Sequence, residues 1–227
     1  MRVVALSDTH LYRPEIPDGD VLIHAGDLCL RGTAKEFESE IVWLKRQSHT
    51  HKIFVPGNHD RCVESSVSLN RKLCRDLGIT MLVDDWVDID GIKFFGCPHT
   101  PEFMSWSFMH TSEQAREHWN WNAVMYADMD VWITHGPPYG IHDSCPLPAG
   151  CPHLLKAVES VKPRLHLMGH IHEGYSGRIY KRWKTGGVTV FANISVLDGH
   201  YQPAADPMVF DIDADNLKIL DIHGNAV

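Results

Sequence analysis

Five predicted strands of this sequence each end in side chains that can bind a metal ion. After each apolar run the chain continues into aspartate, asparagine or histidine, as in Ser7-Asp8-Thr9-His10 and Gly57-Asn58-His59-Asp60. Because the carboxyl ends of parallel strands form a common crevice, we expect these side chains to meet there. A single such residue is usually a cap or a turn, but five in succession exceed what capping requires. The candidate ligands are Asp8, His10, Asp27, Asn58, His135, His170 and His172.

Seven ligands are too many for one ion, but they suit two. Four protein ligands on each metal would make eight contacts, so one residue must bridge, and the two oxygens of Asp27 make it the natural bridge. The set has nitrogen and oxygen but no thiolate, which favours Mn, Fe or Zn, with Ni and Co as alternatives; we expect Mn²⁺ to support activity in an assay. Two divalent metals about 3.5–4 Å apart bind phosphoryl oxygens and lower the pKa of a bridging water. The predicted chemistry is phosphoester hydrolysis.

Hydrophobic periodicity and turn residues define the elements that position these side chains. Thr33 with Glu36 predicts a capping box at a helix start, and Asp90-Gly91 predicts a hairpin turn. The predicted strands are Arg2–Leu6, Asp20–His24, Lys52–Val55, Ile79–Val83, Trp86–Ile89, Ile92–Gly96, Val131–Thr134, Leu165–Met168, Val188–Ala192, Met208–Ile212 and Leu217–Ile222. The predicted helices are Ala34–Gln47, a segment from about Ser65 to Asp76, a segment capped by Thr111 that runs to about Asn122, and Pro152–Val161.

The order of these elements predicts an α/β fold. Strand–helix–strand units fill the first third of the chain and hairpins recur later, which indicates two packed mixed sheets with helices outside. The 227 residues contain no repeat, low-complexity tract or linker-like segment. We therefore expect a single domain over residues 1–227.

Composition excludes several classes of protein. Hydrophobic residues make up 44% and charged residues 22%, which is typical of a globular chain, and the net charge of −8 argues against a stable nucleic-acid complex. The apolar runs are too short to cross a membrane, and the first residues lack a signal-peptide pattern, so we expect a cytoplasmic protein without membrane attachment. The six cysteines form no CxxC pair and are expected to be reduced thiols.

The five polar motifs resemble, in order, those of the calcineurin-like metallophosphoesterases. They are Asp8-x-His10, Gly26-Asp27, Gly57-Asn58-His59-Asp60, His135 and Gly169-His170-x-His172. Within that superfamily the chain is most similar to the metallophosphoesterase-domain-containing (MPPED) group, which is also called class III cyclic nucleotide phosphodiesterases. Further segments carry this finer resemblance: Thr134-His135-Gly136-Pro137-Pro138 with Gly140 and Asp143, Lys162–His166 leading into Gly169–Tyr175, Asn193-Ile194-Ser195, and Tyr201-Gln202-Pro203.

The resemblance implies a four-layer α/β/β/α sandwich with two mixed sheets and a role for each motif residue. One metal takes Asp8, His10, Asp27 and His172, and the other takes Asp27, Asn58, His135 and His170. His59 is not a ligand in this scheme; it lies beside the leaving group and donates a proton or a hydrogen bond, with Asn58 near a phosphoryl oxygen. Asp60 either orients His59 or has a cap or surface role. The turn Leu28-Cys29-Leu30-Arg31 departs from the Asp- or Asn-containing turn of many members.

The resemblance also implies a small phosphodiester substrate, a cyclic nucleotide among the candidates. A phosphomonoesterase with the same site and a non-catalytic metal-binding scaffold remain as alternatives. The aromatic segment Phe103–Phe108 either stacks a nucleobase or forms an apolar plug or subunit contact. His99 is a candidate substrate contact, whereas His24 and His166 are expected in the core or beside the ligands. The sequence does not specify an oligomeric state.

Overall fold

Two six-stranded mixed sheets form the centre of the molecule. The computed structural model describes residues 1–145, 147–175, 178–213 and 215–220. The strands are β1 Arg2–Leu6, β2 Val21–His24, β3 His51–Phe54, β4 Thr80–Met81, β5 Asp85–Ile89, β6 Ile92–Cys97, β7 Thr100–Pro101, β8 Met109–His110, β9 Val131–Thr134, β10 Ser144–Cys145, β11 Leu147–Pro148, β12 Leu165–Met168, β13 Arg178–Arg182, β14 Val188–Asn193, β15 Met208–Ile212 and β16 Leu217–Leu220. The helices are α1 Ala34–Lys45, α2 Arg61–Ser65, α3 Val67–Asp76, α4 Ser112–Met125 and α5 Pro152–Val161, with a 3₁₀ turn at His172–Gly174.

Each sheet has a parallel centre and antiparallel additions. The first runs β16-β15-β1-β2-β3-β4, with β1 to β4 parallel and β15 antiparallel to β1. The second runs β13-β14-β12-β9-β6-β5, with β14, β12, β9 and β6 parallel and an antiparallel strand at each edge. The parallel strands of both sheets supply the candidate site.

Three apolar clusters divide the molecule into four layers. Alternate residues of β1 show why: Val3 and Ala5 face the second sheet, while Val4 and Leu6 face the other way, against α1. Trp119 of α4 packs with a third cluster on the outer face of the second sheet. The architecture is therefore helix, sheet, sheet, helix, and it confirms the predicted fold class.

Most predicted elements lie where periodicity placed them. The Thr33 capping box is formed, since its side chain accepts from Glu36 N–H and the Glu36 carboxylate accepts from the Thr33 backbone. Asp90 and Gly91 both have positive φ, at 51° and 82°, as a type I′ turn between β5 and β6 requires. Residues 221–222 of the last predicted strand lie outside the described residues. No helix of the described part of the chain is long and apolar enough to cross a membrane.

The helix predicted from about Ser65 to Asp76 is present as α3, but the short helix α2 that precedes it was not predicted. Ser66 lies between them with φ −153° and ψ 56°, outside the helical region. The carbonyl of Cys62 accepts from the Ser65 hydroxyl and from the Asn70 side chain, at 2.9 and 3.0 Å. Side chains thus satisfy a carbonyl that a continuing helix would have bonded to a backbone N–H.

His166 of β12 is fully buried in the core. Its Nε2 lies 2.8 Å from Thr134 Oγ1, and this hydroxyl donates to the Gly136 carbonyl, so the ring must donate from Nε2. Its Nδ1 is buried and has no hydrogen-bond partner among the described residues. Burial lowers the pKa of His166 to about 3, since a second ring proton would have no acceptor. The ring is therefore neutral throughout the physiological pH range.

His166 should make the fold acid-sensitive. An unfolded histidine has a pKa of about 6.5, so between that pH and the native value of about 3 the unfolded chain binds a proton that the native chain does not. The free energy of unfolding therefore decreases as the pH decreases through this range, by up to about 1.4 kcal/mol per pH unit for this ring. His166→Gln retains a donor for Thr134 without a titrating ring. We expect urea unfolding between pH 5.5 and 4 to show a shallower pH slope in this variant than in the wild type; equal slopes would contradict the assignment.

Candidate metal centre

The carboxyl ends of five parallel strands meet at one end of the sandwich. Asp8 follows β1, Asp27 follows β2 and Asn58 follows β3, all from the first sheet, while His135 and His170 follow β9 and β12 of the second. A bridge between Ser7 and Ser195 joins the two sheets at this end. Each of these five residues lies one to four residues beyond the end of its strand, and His10 and His172 lie two residues beyond Asp8 and His170.

One half of the centre contains Asp8, His10 and His172. One ligand atom from each lies within 4.8 Å of the others. The Nε2 atoms of His10 and His172 are 3.3 Å apart, and His172 Nε2 is 3.5 Å from Asp8 Oδ1. Ligands of one tetrahedral ion with metal–nitrogen bonds of about 2.1 Å are separated by roughly 3.4 Å. These side chains are already spaced as neighbouring ligands.

The other half contains Asp27, Asn58, His135 and His170. Asp27, His135 and His170 form a second group whose ligand atoms lie within 4.8 Å of one another. His135 Nε2 is 2.9 Å from Asn58 Oδ1 and 3.3 Å from Asp27 Oδ1.

Asp27 belongs to both halves. Its Oδ1 faces His135, and its Oδ2 lies 3.7 Å from His10 Nε2. A carboxylate whose two oxygens face different sets of nitrogens has the arrangement that a bridging ligand needs. The structure thus brings all seven predicted residues together as two adjoining groups that share Asp27.

Backbone carbonyls orient three of the histidine rings. The pairs are His10 with Cys29, His135 with Ala25 and His172 with Asp198, with Nδ1 to oxygen distances of 3.1, 2.9 and 2.8 Å. Because a carbonyl can only accept, each ring donates from Nδ1. Nε2 is therefore the atom presented to the centre, and its lone pair is available for a metal when the ring is neutral.

Opposite charges perturb the titration of these groups in both directions. Burial would raise the pKa values of Asp8 and Asp27, but the neighbouring histidines outweigh it and hold both well below the usual range. Burial would lower the pKa values of His135 and His172, but the two carboxylates outweigh it and raise each to about 9. Both carboxylates are therefore ionised at neutral pH and able to bind cations.

Backbone strain is concentrated at the same place. Asp8, His10, Asp27 and His170 all have positive φ, between 43° and 66°. This region costs a non-glycine residue about 1–3 kcal/mol, although Asp and His tolerate it better than most. The sharp turns aim side chains from successive residues back over the strand ends, so the strain maintains a geometry that a relaxed loop would not supply.

Two glycines let the backbone approach the carboxylates closely. A Cβ on Gly57 would lie 2.3 Å from Asp27 Oδ1, and one on Gly169 would lie 2.1 Å from Asp8 Oδ2. Both distances are far below contact, so any side chain at either position would displace a candidate ligand.

The centre opens into a cleft of about 690 Å³. Residues 101–104, Trp106 and residues 147–150 provide much of its wall. The described residues that line it include Asp27, Glu102 and Glu173 but neither lysine nor arginine. A phosphate in this cleft would meet carboxylates without a lysine or arginine side chain to balance them. Closely spaced imidazoles and ionised carboxylates therefore fit two bound divalent cations, which would supply the missing positive charge.

His59 lies at the edge of this centre. Its Nδ1 lies 2.7 Å from the Leu30 carbonyl oxygen, so the ring donates from Nδ1 and Nε2 is the nitrogen not used in this hydrogen bond. The backbone N–H of His59 donates to Asp27 Oδ1 at 2.7 Å. The ring stacks on Trp106, with centroids 4.2 Å apart and an interplanar angle of 23°. His59 also lies close enough to His10 and Asp27 to form a ligand group with them. Metal content of a His59 variant is therefore the measurement that separates a proton donor from a ligand.

Asp60 does not take any of the roles expected for it. Its carboxylate is fully buried and accepts from the backbone N–H groups of Gly57 and Cys29, at 2.8 and 2.9 Å. It makes no side-chain cap at α2, and the His59 ring is held by Leu30 instead. Burial and then the charge of Asp27 raise the pKa of Asp60 to about 6. Asp60 therefore fastens the two loops that carry Asp27 and Asn58.

Several parts of the site were not predicted. The Cys29 and Leu30 carbonyls belong to the turn that departs from the family pattern, and no side-chain pattern reveals a carbonyl. Tyr201 packs on His10 and His172, with centroids 4.8 and 5.3 Å away, and lines the cleft. The segment Phe103–Phe108 was predicted to stack a nucleobase or to form an apolar plug or subunit contact, but not to pack Trp106 on His59. His99, the candidate substrate contact, does not line the cleft.

Comparison with known proteins decides the family. Residues 1–174 match the family model described as calcineurin-like phosphoesterase. The chain belongs to this family. Its members use a dinuclear metal centre, which agrees with the two groups that share Asp27.

Individual proteins and a solved structure are also similar to this metallophosphoesterase. Metallophosphoesterase domain-containing protein 1 of Homo sapiens is 35% identical over an alignment of 239 positions, gaps included, which covers 93% of this chain and 71% of that protein. Probable rhamnogalacturonate lyase C of Emericella nidulans is 36% identical over an alignment of 190 positions, which covers 79% of this chain and 18% of that protein. The crystal structure of a dimetal phosphatase from Danio rerio has the same fold, with a TM-score of 0.56, 11% identity and coverage of 96% and 94% of the two chains.

Proposed function

We propose that this metallophosphoesterase hydrolyses small phosphodiesters, cyclic nucleotides among them. Asp8, His10, Asp27 and His172 hold one divalent metal, and Asp27, Asn58, His135 and His170 hold the other. The observation that carries the proposal is the position of Asp27 between two complete sets of nitrogen and oxygen donors, with His59 beside it. Manganese is the ion that we expect to support activity in an assay.

The reaction divides between the bound ions and the side chains. When bound, two divalent ions neutralise the phosphoryl oxygens and lower the pKa of a water that attacks phosphorus. His59, whose Nδ1 donates to the Leu30 carbonyl, presents Nε2 toward the cleft and donates a proton or a hydrogen bond to the departing oxygen. The Asn58 side chain contributes a polar contact to a phosphoryl oxygen as well as a ligand atom.

A diester fits the cleft better than a monoester for two reasons. A diester carries one negative charge where a monoester carries about two at neutral pH, and the described lining holds carboxylates without lysine or arginine. A diester also brings a second organic group, and the wall of residues 101–106 offers it Phe103, Met104 and Trp106. A phosphomonoesterase would leave that wall unused.

Trp106 should distinguish nucleotide substrates from simpler diesters. Base stacking on an aromatic side chain contributes about 1–3 kcal/mol, so Trp106→Ala should raise KM for a cyclic nucleotide by roughly 5- to 100-fold. KM for a methyl p-nitrophenyl diester should change less, because no base is stacked. Trp121→Ala is a matched control, since this indole is 64% exposed on α4, outside the cleft. Equal KM changes for both substrates would contradict base stacking.

The proposed reaction is tested by comparing bis-p-nitrophenyl phosphate with p-nitrophenyl phosphate. Chelator-stripped protein is refilled with Mn²⁺ and assayed with His59→Ala as the control. Faster turnover of the diester that needs both Mn²⁺ and His59 is the expected result, and a cyclic nucleotide panel then follows. Preference for the monoester would retain the site but replace the substrate class. Two bound metals without hydrolysis of either compound would favour the scaffold alternative.

A further inference from the structure

A second group of potential metal ligands lies away from the cleft, between the end of β6 and the first half of α4. It contains three histidines, a carboxylate and a thiol: His99, His110, His118, Asp84 and Cys97. One ligand atom from each of the three histidines lies within 4.8 Å of the other two, and the same holds for Asp84, Cys97 and His118. None of the five lines the cleft, so this group is separate from the centre described above.

The three imidazole rings pack directly on one another. His99 and His110 are stacked, with centroids 3.9 Å apart and an interplanar angle of 12°. The His118 ring stands steeply to both, at 74° and 71°, with centroids 4.8 and 4.7 Å away. The three rings come from the loop before β7, from β8 and from α4, and they lie close enough together to contact a single ion.

Polar atoms surround His118. Asn122 Nδ2, an Asp84 oxygen and Cys97 Sγ lie 2.9, 3.2 and 3.3 Å from His118 Nε2. The other Asp84 oxygen lies 3.2 Å from His99 Nε2. One carboxylate thus connects two of the rings, and a thiol lies next to the same nitrogen.

Two ring nitrogens of the group have no protein partner. Nδ1 of His99 and Nδ1 of His110 are buried and make no hydrogen bond to the described residues. A buried polar group without a partner costs about 1–3 kcal/mol, so histidines that only braced the fold would be expected to pair with protein donors or acceptors. Small rotations of these rings would give a cation access to an unpaired nitrogen.

We propose that His99, His110 and His118, with the Asp84 carboxylate, form a third metal site that takes Zn²⁺ or a similar divalent transition-metal ion. Imidazole and carboxylate are ligands that Zn²⁺ accepts in tetrahedral sites, and the nearby thiol is compatible with the same ion. Neighbouring ligands of bound Zn²⁺ are roughly 3.4 Å apart, so atoms that lie within 4.8 Å of one another approach by up to about 1.4 Å on binding. The site uses none of the cleft residues and does not depend on the proposed reaction.

The position of this site gives it a structural role. His99 precedes β7 and His110 ends β8, and these two short strands pair with each other on either side of residues 102–108. That loop carries Trp106 onto His59. An ion bound to His99, His110 and His118 ties both ends of the loop to α4 and steadies the aromatic wall of the cleft.

Zn²⁺ stoichiometry tests the site on the full chain. Chelator-stripped protein is dialysed against Zn²⁺ and its metal content is measured. We expect three ions for the wild type, one for Asp27→Ala and two for the His99→Gln/His110→Gln variant. The variant that combines all three substitutions should bind none. His153→Ala, which changes a half-buried histidine of α5 outside the group, should still bind three.

Two readouts keep this test independent of folding and of catalysis. In the Asp27→Ala background, Zn²⁺ should raise Tm, and His99→Gln/His110→Gln should weaken Zn²⁺ binding by at least about 100-fold. Co²⁺ should give the visible spectrum of a tetrahedral ion in the same background. Asp27→Ala protein without any bound Zn²⁺, or with one ion that survives the double glutamine change, would overturn the third site. Wild-type protein that binds three ions but hydrolyses no phosphodiester would instead contradict the proposed reaction and leave the third site supported.

Discussion

Asp27→Ala is expected to remove both ions of the cleft and to lower kcat for bis-p-nitrophenyl phosphate by at least about 10³-fold. The two oxygens of Asp27 face His135 on one side and His10 on the other, so no other residue can replace it in both sets. Its loss also removes the negative charge that lies 3.3 Å from His135 and 3.7 Å from His10. Metal analysis after dialysis against Mn²⁺, together with kcat of the same sample, measures both effects.

Two variants separate the loss of a bridge from general damage. Asp27→Asn keeps an oxygen for the His59 N–H, which donates to Oδ1 at 2.7 Å, but loses the charge; we expect weakened rather than absent metal binding. Asp128→Ala removes an exposed carboxylate that pairs with Lys93, far from the centre, and should leave metal content and kcat unchanged. Two ions retained by Asp27→Ala would show that the halves do not share this residue.

His59→Ala is expected to reduce kcat by about 10²–10⁴-fold while both cleft ions remain bound, which is the usual range for loss of a general acid. The ring is anchored through Nδ1 to the Leu30 carbonyl and is flanked by Trp106, so Nε2 has a defined direction. KM should change little, because the proton is needed when the ester bond breaks. Steady-state kinetics and metal content on the same preparation test both parts.

The leaving group offers a further check on His59. A p-nitrophenolate needs less help from a proton or hydrogen-bond donor to leave than an alkoxide such as a ribose oxygen. His59→Ala should therefore cost more with a cyclic nucleotide than with an activated aryl diester. His59→Gln, which can donate a hydrogen bond but not a proton, should recover part of the activity. Loss of a metal ion from His59→Ala would identify this ring as a ligand instead.

Sequence reasoning predicted that the candidate ligands lie together because their positions depend on local rules. A run such as Arg2–Leu6 must be a strand, and the residues after it must emerge at the carboxyl edge of the sheet. Asp8 and Asp27 could therefore be placed beside each other before any contact was known. The order of strands, helices and hairpins also predicted two packed mixed sheets with helices outside.

The remaining features depend on contacts between distant segments. Trp106 reaches His59 only because β7 and β8 pair, and each of these strands has two residues, too few for periodicity to detect. Asp60 bonds to the N–H groups of Gly57 and Cys29, so its role was set by a loop more than thirty residues away. The break at Ser66 arose from side chains that satisfy the Cys62 carbonyl. Short-range patterns carry no information on such partners.

The carbonyl anchors of the imidazole rings have a consequence for how this protein can diverge. A point mutation can delete a side-chain acceptor, but every amino acid supplies the same main-chain oxygen. The hydrogen bonds that orient His10 and His59 therefore survive replacement of Cys29 or Leu30, provided that the new side chain packs. An insertion or deletion in this turn would instead disorient both rings in a single event. Homologues should accordingly vary in residue identity at positions 29 and 30 while keeping the length of the turn.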